Sequence, residues 1–333
     1  MTNTSTGTHC PRCTEPVAEG DRFCEGCGGE LQVRRGGTAD SLGGTRSCHG
    51  CSRALTAEDG EHCPGCGLLA PDGTDRVEID LGALAAVSDR GLVHARNEDA
   101  VALGSQASGL LAAVVCDGVS SSPHPQLASQ VATEATLDVL LSDGGDADPT
   151  GPRRVREAVA AAARAVEALI AGGSGEGDDG PACTLVAAVV DPGHQIVVAW
   201  VGDSRAYWLS ASGSRLLTTD HSWAEEIVAS GRMDATAAAL DRRAHAITRW
   251  LGAGGEPIPD LAAFTPDGPG VLLLCSDGLW NYLAGPDELA AVALPGAFTD
   301  PLGVAAELTA IALAAGGRDN ITVAVLPVGR PAA

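Results

Sequence analysis

Four acidic clusters, each beside an apolar run, are the residues of this chain best suited to chemistry. They are Asn97-Glu98-Asp99, Cys116-Asp117-Gly118, Ser276-Asp277-Gly278 and Arg318-Asp319-Asn320. Two of them have the form of a strand that stops at Asp-Gly, which offers carboxylate and carbonyl oxygens to a hard cation. Together the clusters predict a carboxylate-rich site for more than one divalent metal ion, and therefore hydrolytic chemistry.

Eight of the eleven cysteines form a second kind of predicted site. They occur before residue 70 as four Cys-x-x-Cys pairs, which are Cys10 and Cys13 with Cys24 and Cys27, then Cys48 and Cys51 with Cys63 and Cys66. Each Cys-x-x-Cys turn directs two thiolates at one point, so two turns complete a tetrahedral zinc site. The spacing predicts two structural zinc ions in modules that resemble short zinc ribbons. Disulfides and redox pairs are the less favoured alternatives.

The composition limits the classes of partner. With 43 acidic and 21 basic residues the net charge is -22, which argues against nucleic acid and anionic membrane as main partners. No apolar run approaches the roughly 20 residues of a membrane span. The first residues lack the pattern of a signal peptide. We therefore expect a soluble cytoplasmic protein.

Changes of composition along the chain predict its organisation. The predicted units are a first zinc ribbon at 8–32, a linker at 33–46, a second ribbon at 47–70, a linker at 71–76 and a catalytic domain at 77–328. Within the last unit, short apolar runs predict strands at 186–190, 196–201, 271–275 and 321–326. Alanine-rich segments predict helices at 126–141, 153–170, 224–230 and 303–315.

The order of short motifs in the last unit resembles the metal-dependent protein phosphatase family of type 2C, in its bacterial form. The motifs are Ser88-Asp89-Arg90-Gly91 with Asn97-Glu98-Asp99, Asp117-Gly118, Cys183-Thr184-Leu185, Gly202-Asp203-Ser204-Arg205, Thr219-Asp220-His221-Ser222, Ile247-Thr248-Arg249-Trp250-Leu251-Gly252, Ser276-Asp277-Gly278 and Arg318-Asp319-Asn320. The resemblance implies an α+β fold, a four-layer α/β/β/α sandwich of two mainly antiparallel sheets flanked by helices. It places the metal ions at one end of that sandwich.

The resemblance also implies a role for each acidic residue. Asp117 would bridge two metal ions, with the carbonyl of Gly118 as a backbone ligand, and Asp277 and Asp319 would bind the second ion. Glu98 and Asp99 would hold metal-bound waters, while Asp203 and Asn320 would support the ligands. Oxygen ligands suit two Mn²⁺ or Mg²⁺ ions. The implied activity is hydrolysis of phosphoserine and phosphothreonine in proteins by a metal-bridging hydroxide, without a covalent intermediate.

The chain departs from the family pattern at several positions. Many relatives have an arginine that binds the substrate phosphate where this chain has His94, and we expect Arg96 to take that role, with His94 as the alternative. Val119 replaces a histidine that is a proposed general acid, and His124 follows in the same loop. Asp178 and Asp179 precede Cys183-Thr184 where some bacterial members bind a third metal ion.

Two readings of the function differ in class. The first is a serine/threonine protein phosphatase whose partners are phosphoproteins made by a Ser/Thr kinase. The alternative is a weakly active or inactive phosphatase-like regulatory module that binds phosphoproteins, with the zinc ribbons for docking. Protein docking or autoregulation suits the ribbons better than nucleic-acid binding, because Phe23 is their only aromatic residue. The identities of the substrate and the kinase, and the oligomeric state, leave no signal in the sequence.

Overall fold

The computed structural model describes residues 8–9, 15–17, 25–26, 33–38, 46–47, 51, 53–56, 62–67, 73–106, 108–142, 151–171 and 180–329. The strands are β1 Thr8–His9, β2 Pro16–Val17, β3 Val33–Gly37, β4 Arg46–Ser47, β5 Ala54–Leu55, β6 Arg76–Asp80, β7 Ala85–Asp89, β8 Ala100–Gln106, β9 Leu111–Cys116, β10 Ala182–Cys183, β11 Leu185–Val190, β12 Ile196–Val201, β13 Arg205–Leu209, β14 Arg215–Leu216, β15 Leu251–Gly252, β16 Asp260–Phe264, β17 Gly270–Cys275 and β18 Ile321–Val328. The helices are α1 Pro125–Leu141, α2 Pro152–Ala171, α3 Trp223–Ala229, α4 Ala235–Ala239, α5 Asp277–Trp280, α6 Pro286–Ala293 and α7 Pro301–Ala314. The four predicted helices match α1, α2, α3 and α7 to within two residues at each end.

Two six-stranded antiparallel sheets form the centre of the fold. Sheet I has the strand order β16-β12-β11-β9-β8-β3, and sheet II has the order β14-β13-β17-β18-β7-β6. The central strands β11 and β12 are runs of Val, Ala, Leu, Ile and Trp in which every residue is buried. Such continuous apolar runs are typical of strands that are covered on both faces.

Helices cover the outer face of each sheet and complete the four layers. One apolar cluster joins α1 and α2 to sheet I, a second lies between the two sheets, and a third joins sheet II to α5, α6 and α7. The predicted α/β/β/α sandwich is therefore confirmed. Of the helices in the described part of the chain, none is long and apolar enough to cross a membrane.

The structure differs from the prediction at the first residues of the 33–46 linker. Residues 33–37 form β3, which pairs with β8 from Val33 opposite Gln106 to Gly37 opposite Ala102. The glycines favoured a flexible linker, but here Gly36 allows a close approach, since a Cβ atom at this position would lie 2.5 Å from Cγ2 of Ile79. The linker prediction was wrong for this segment.

Candidate active site

The four acidic clusters lie where strands of the two sheets begin or end. In sheet I, Asp99 directly precedes β8 and Asp117 directly follows β9, and the register pairs Ala100 with Cys116. In sheet II, Asp277 follows shortly after β17, and Asn320 directly precedes β18, with Cys275 paired to Val323. In a pair of antiparallel strands, one strand begins at the end of the sheet where its partner stops. Each sheet therefore brings two acidic clusters together at one end. Hydrogen bonds from Oγ of Ser276 to Oδ2 of Asp99 at 2.7 Å and from the N–H of Glu98 to Oδ1 of Asn320 at 2.8 Å show that both sets meet in one site.

Mutual repulsion and burial dominate the electrostatics of this site. Burial and the charges of Asp319 and Asp277 raise the pKa of Asp99 to about 8, although a hydrogen bond from Ser276 opposes the rise. Burial and the charge of Asp319 raise the pKa of Asp277 to about 6. Burial and the charges of Asp99 and Asp277 hold the pKa of Asp117 well above its usual value. Carboxylates in such an arrangement ionise together only when a cation compensates them.

Unsatisfied oxygens at the same place fit a metal ion. Asp99 is 2% exposed, and its Oδ2 accepts a 2.7 Å hydrogen bond from Oγ of Ser276, while its Oδ1 is buried with no partner among the described residues. Asp277 is similar, because Asn281 donates to its Oδ2 at 3.1 Å and its Oδ1 has no partner in the described structure. Buried oxygens left without a hydrogen bond are costly, and oxygen donors of this kind suit Mn²⁺ or Mg²⁺.

Gly118 is required by the close packing around the site. A Cβ atom here would lie 2.8 Å from the carbonyl oxygen of Glu98 and 2.8 Å from Cβ of Pro125, the first residue of α1. The neighbouring Asp117 is fixed by Thr184, whose N–H donates to the Asp117 carbonyl at 2.7 Å and whose Oγ1 accepts from the Asp117 N–H at 3.2 Å. The backbone at Asp117-Gly118 is thus held in position before any ligand binds.

Asn320 fixes the loop that carries the first acidic cluster. Its Oδ1 accepts from the N–H of Glu98 at 2.8 Å, and its Nδ2 donates to the carbonyls of Arg90 and Arg96 at 2.7 and 3.0 Å. One buried amide therefore ties residues 90–98 to the start of β18. The role of Asn320 in supporting the metal ligands stays a prediction.

The comparisons with known proteins identify the family. Residues 92–300, more than half of the chain, match the family described as Protein phosphatase 2C. The chain belongs to this family. Residues 10–67 match a second family, described as Double zinc ribbon.

Similar proteins come from bacteria. Serine/threonine protein phosphatase PstP of Mycobacterium tuberculosis is 33% identical over 246 residues, which make up 73% of this chain and 44% of PstP, so the chain spans less than half of that relative. The structure of the serine/threonine phosphatase of S. agalactiae superposes with a TM-score of 0.61 at 26% identity, covering 74% of this chain and 99% of that one. The catalytic domain of PstP in complex with two manganese ions superposes with a TM-score of 0.57 at 29% identity, covering 74% and 97%.

His94 and Arg96, the two candidates for phosphate binding in this phosphatase 2C domain, have different surroundings. Nε2 of His94 lies 3.2 Å from Oδ1 of Asp319, and the Arg90 guanidinium donates to the carbonyl of His94. Arg96 is half-buried and gives its carbonyl to Asn320. The structure therefore brings the His94 ring into contact with the acidic residues and fixes Arg96 at its backbone.

Asp203 lies at the edge of the acidic site. It is buried, and burial together with the charge of Asp277 raises its pKa well above the usual value. Nε1 of Trp280 donates to its carbonyl oxygen at 2.9 Å. The role of Asp203 in supporting the metal ligands stays a prediction.

Some neighbours of the acidic residues received no role from the sequence. Ser276 donates to Asp99, and Ser120 donates to Oε2 of Glu98 at 2.6 Å. Ser276 could have been found from its place directly before Asp277, at a strand end. Ser120 carries no comparable signal, because its loop departs from the family pattern.

The remaining positions singled out in the sequence lie either in the loop before α1 or outside the described residues. His124 is exposed and adopts a φ of 52° just before α1. The loop that begins at Val119 borders a cavity of about 550 Å³, whose wall also includes Trp250. Asp178 and Asp179, the candidates for a third metal ion, lie outside the described residues.

Three cysteines of the second predicted ribbon come together. The Sγ atoms of Cys51, Cys63 and Cys66 lie within 4.8 Å of one another, and those of Cys51 and Cys63 are 3.6 Å apart. That separation is far too long for a disulfide bond of about 2.05 Å. It is close to the roughly 3.8 Å between two thiolates bound tetrahedrally to one zinc ion at 2.3 Å. The remaining predicted ligands, Cys10, Cys13, Cys24, Cys27 and Cys48, lie outside the described residues.

Proposed function

We propose that this chain is a metal-dependent serine/threonine protein phosphatase that hydrolyses phosphoserine and phosphothreonine monoesters in proteins. The observation that carries the proposal is the meeting of Asp99, Asp117, Asp277 and Asp319 at one end of the sandwich, with two buried carboxylate oxygens that have no partner in the described structure. The similarity to PstP, which is named as a serine/threonine protein phosphatase, supports the same activity. The alternative, a regulatory module without activity, is less favoured because the acidic residues are all present.

Two Mn²⁺ or Mg²⁺ ions fit these residues. Asp117 would hold both ions, the carbonyl of Gly118 would add a backbone ligand, Asp277 and Asp319 would hold the second ion, and Glu98 and Asp99 would position the metal-bound waters. When bound, the ions neutralise the phosphate dianion and lower the pKa of water. The structure of PstP in complex with two manganese ions supports this choice of metal.

The protein's own side chains would prepare the site for the substrate. Asn320 and Thr184 hold the ligand-bearing backbone before metal arrives, which reduces the reorganisation needed during reaction. The ring of His94 is placed to orient the Asp319 carboxylate. Arg96 is assigned to the substrate phosphate, because a guanidinium matches phosphate with two parallel hydrogen bonds.

The cysteine modules would each hold one structural zinc ion through four thiolates. The spacing of the three thiolates of the second module supports this assignment. The ribbons would serve protein docking or autoregulation, and the substrates would be proteins phosphorylated by a Ser/Thr kinase. We also infer a cytoplasmic location, where reducing conditions would keep the cysteine thiolates available for zinc.

Manganese-dependent hydrolysis of a phosphothreonine peptide tests the proposal. We expect the intact protein to require Mn²⁺ and to be inactive as Asp117→Asn or Asp319→Asn, which remove a negative charge at nearly constant shape. Asp267→Asn is the matched control, because Asp267 is exposed in the connection between β16 and β17. It should retain full activity. Hydrolysis without added metal, or hydrolysis unaffected by both site variants, would exclude this mechanism.

A further inference from the structure

The strand β3 connects the cysteine modules to the catalytic sheet in an unexpected way. Its residues 33–37 lie between Cys27 of the first module and Cys48 of the second, yet they form the edge strand of sheet I. The strand is also tied to two other elements of the phosphatase domain. Arg35 forms an ion pair with Asp138 of α1, and Gly36 packs against Ile79 of β6. The segment between the modules is therefore part of the catalytic sheet.

Thr38 extends the contact of β3 with β8 by one residue. Backbone pairing ends at Gly37 opposite Ala102, and the next contact with β8 is made by the side chain of Thr38. Its Oγ1 accepts from the N–H of Val101 at 3.0 Å and donates to the carbonyl of Val101 at 3.3 Å. Thr38 is 2% exposed and Val101 is 0% exposed. One buried hydroxyl thus satisfies both backbone groups of Val101 that face the edge.

Val101 occupies a sensitive position relative to the acidic site. It lies two residues after Asp99, and it is paired with Val115, which lies two residues before Asp117. The Asp99 carboxylate is held from the other side by Ser276, and its N–H by Oδ1 of Asn97 at 3.3 Å. A shift of β8 at Val101 would therefore move Asp99 relative to Asp117. Small shifts of groups that orient metal ligands weaken metal binding.

We propose that Thr38 is a positioning residue for the acidic pair Glu98-Asp99, and that β3, the strand between the two cysteine modules, supports the metal site through β8. The proposal rests on the proposed function, since it takes this pair to be the water-holding part of the metal site. The Thr38 hydroxyl bonds to the backbone of Val101. It acts through the backbone of β8, so its loss should weaken metal binding more than the reaction at saturating metal.

The test compares full-length Thr38→Val, which removes the hydroxyl at constant shape, with Thr38→Ser, which keeps it. Thr309→Val is the matched control, because Thr309 is also fully buried and donates one hydrogen bond, at 2.8 Å to the carbonyl of Ala305, within the helix α7 that covers the outer face of sheet II. Mn²⁺ affinity is measured by titration calorimetry, and thermal unfolding is recorded without metal. Phosphopeptide hydrolysis is measured over a range of Mn²⁺ concentrations.

We expect Thr38→Val to raise the Kd for Mn²⁺ about fivefold to tenfold. This is at or just below the 10- to 100-fold loss of metal affinity that is typical when a residue in direct contact with a metal-binding side chain is replaced. Saturating Mn²⁺ should restore most of kcat. Thr38→Ser should bind Mn²⁺ within about twofold of the parent protein, since it keeps both hydrogen bonds. Thr309→Val should lower the unfolding temperature without changing Mn²⁺ affinity.

Equal Mn²⁺ affinity in Thr38→Val, Thr309→Val and the parent would overturn the inference. If Thr38→Val does not fold, Gly36→Ala provides the second variant, because its new Cβ would lie 2.5 Å from Ile79 and displace β3 with the hydroxyl retained. It should also weaken Mn²⁺ binding, and unchanged affinity there would be equally decisive. A parent protein that binds Mn²⁺ but leaves phosphopeptides intact would refute the proposed function alone, because calorimetry reports the positioning effect without catalysis.

Discussion

Replacing Ser276 with alanine probes how the protein holds an acidic residue in a buried position. The hydroxyl of Ser276 is fully buried and sits between the two sheets. It donates to Oδ2 of Asp99 at 2.7 Å and accepts from the N–H of Thr322 at 3.0 Å. Alanine removes both contacts and leaves Asp99 Oδ2 and the Thr322 N–H buried without these partners.

The expected cost follows from those two contacts. Loss of a hydrogen bond to a carboxylate costs about 1.5–3 kcal/mol when the group is ionised, and a buried N–H left unsatisfied costs about 1–3 kcal/mol. The two effects overlap because the cavity left by an oxygen relaxes, so we expect Ser276→Ala to lower the free energy of unfolding by about 2–4 kcal/mol in saturating Mn²⁺. The bond also opposes the rise in the pKa of Asp99, so its loss should raise that pKa further and weaken Mn²⁺ binding.

Urea unfolding with and without Mn²⁺, together with titration calorimetry, measures both effects. Ser129→Ala is the matched control, because Ser129 is fully buried but only donates to the carbonyl of Pro125 within α1, at 3.2 Å. Its expected cost is below about 1.5 kcal/mol, with unchanged Mn²⁺ affinity. A Ser276→Ala protein as stable as Ser129→Ala, or one with parental Mn²⁺ affinity, would refute the reasoning.

Two further predictions concern the pH dependence of stability and the binding of the substrate phosphate. Without metal, the free energy of unfolding should fall as the pH rises from about 4 to about 8, because the raised pKa values of Asp277, about 6, and Asp99, about 8, make the native state hold more protons than the unfolded chain in that window. Thermal unfolding at pH 5, 6, 7 and 8 checks this, and saturating Mn²⁺ should flatten or reverse the slope; a metal-free protein that gains stability over this range would contradict the prediction. Arg96→Ala should raise KM for a phosphothreonine peptide at least about tenfold with a smaller change in kcat, since two charged hydrogen bonds of about 1.5 kcal/mol or more each are lost. Steady-state kinetics at saturating Mn²⁺ measure both constants, and an unchanged KM would assign the phosphate to another residue.

Much of the site was predictable because its signals are local. An apolar run that stops at Asp-Gly predicts a buried strand with a carboxylate at its end, and the structure places Asp117 and Asp277 after β9 and β17. The alanine-rich helices were predictable for the same reason, since the helix propensity of alanine is a local property of each segment. The roles of these residues as metal ligands stay predictions.

The features that the sequence did not predict depend on partners far along the chain. β3 is a strand only because β8, more than sixty residues later, offers it an open edge, while its own glycines are typical of a linker. Ser276 and Asp99 are 177 residues apart, so no local pattern shows that one supports the other. The contact of His94 with Asp319 likewise depends on how two loops from different strands approach each other.

The position of β3 has a consequence for any attempt to separate the phosphatase domain from the rest of the chain. A fragment that starts at residue 77 would leave the N–H and C=O groups along one side of β8 open to solvent and to other molecules. Open strand edges invite pairing between copies, which leads to self-association and precipitation. A fragment that starts before Val33 keeps that edge covered, but it necessarily carries the second cysteine module with it. The smallest well-behaved unit is therefore larger than the family's shared domain.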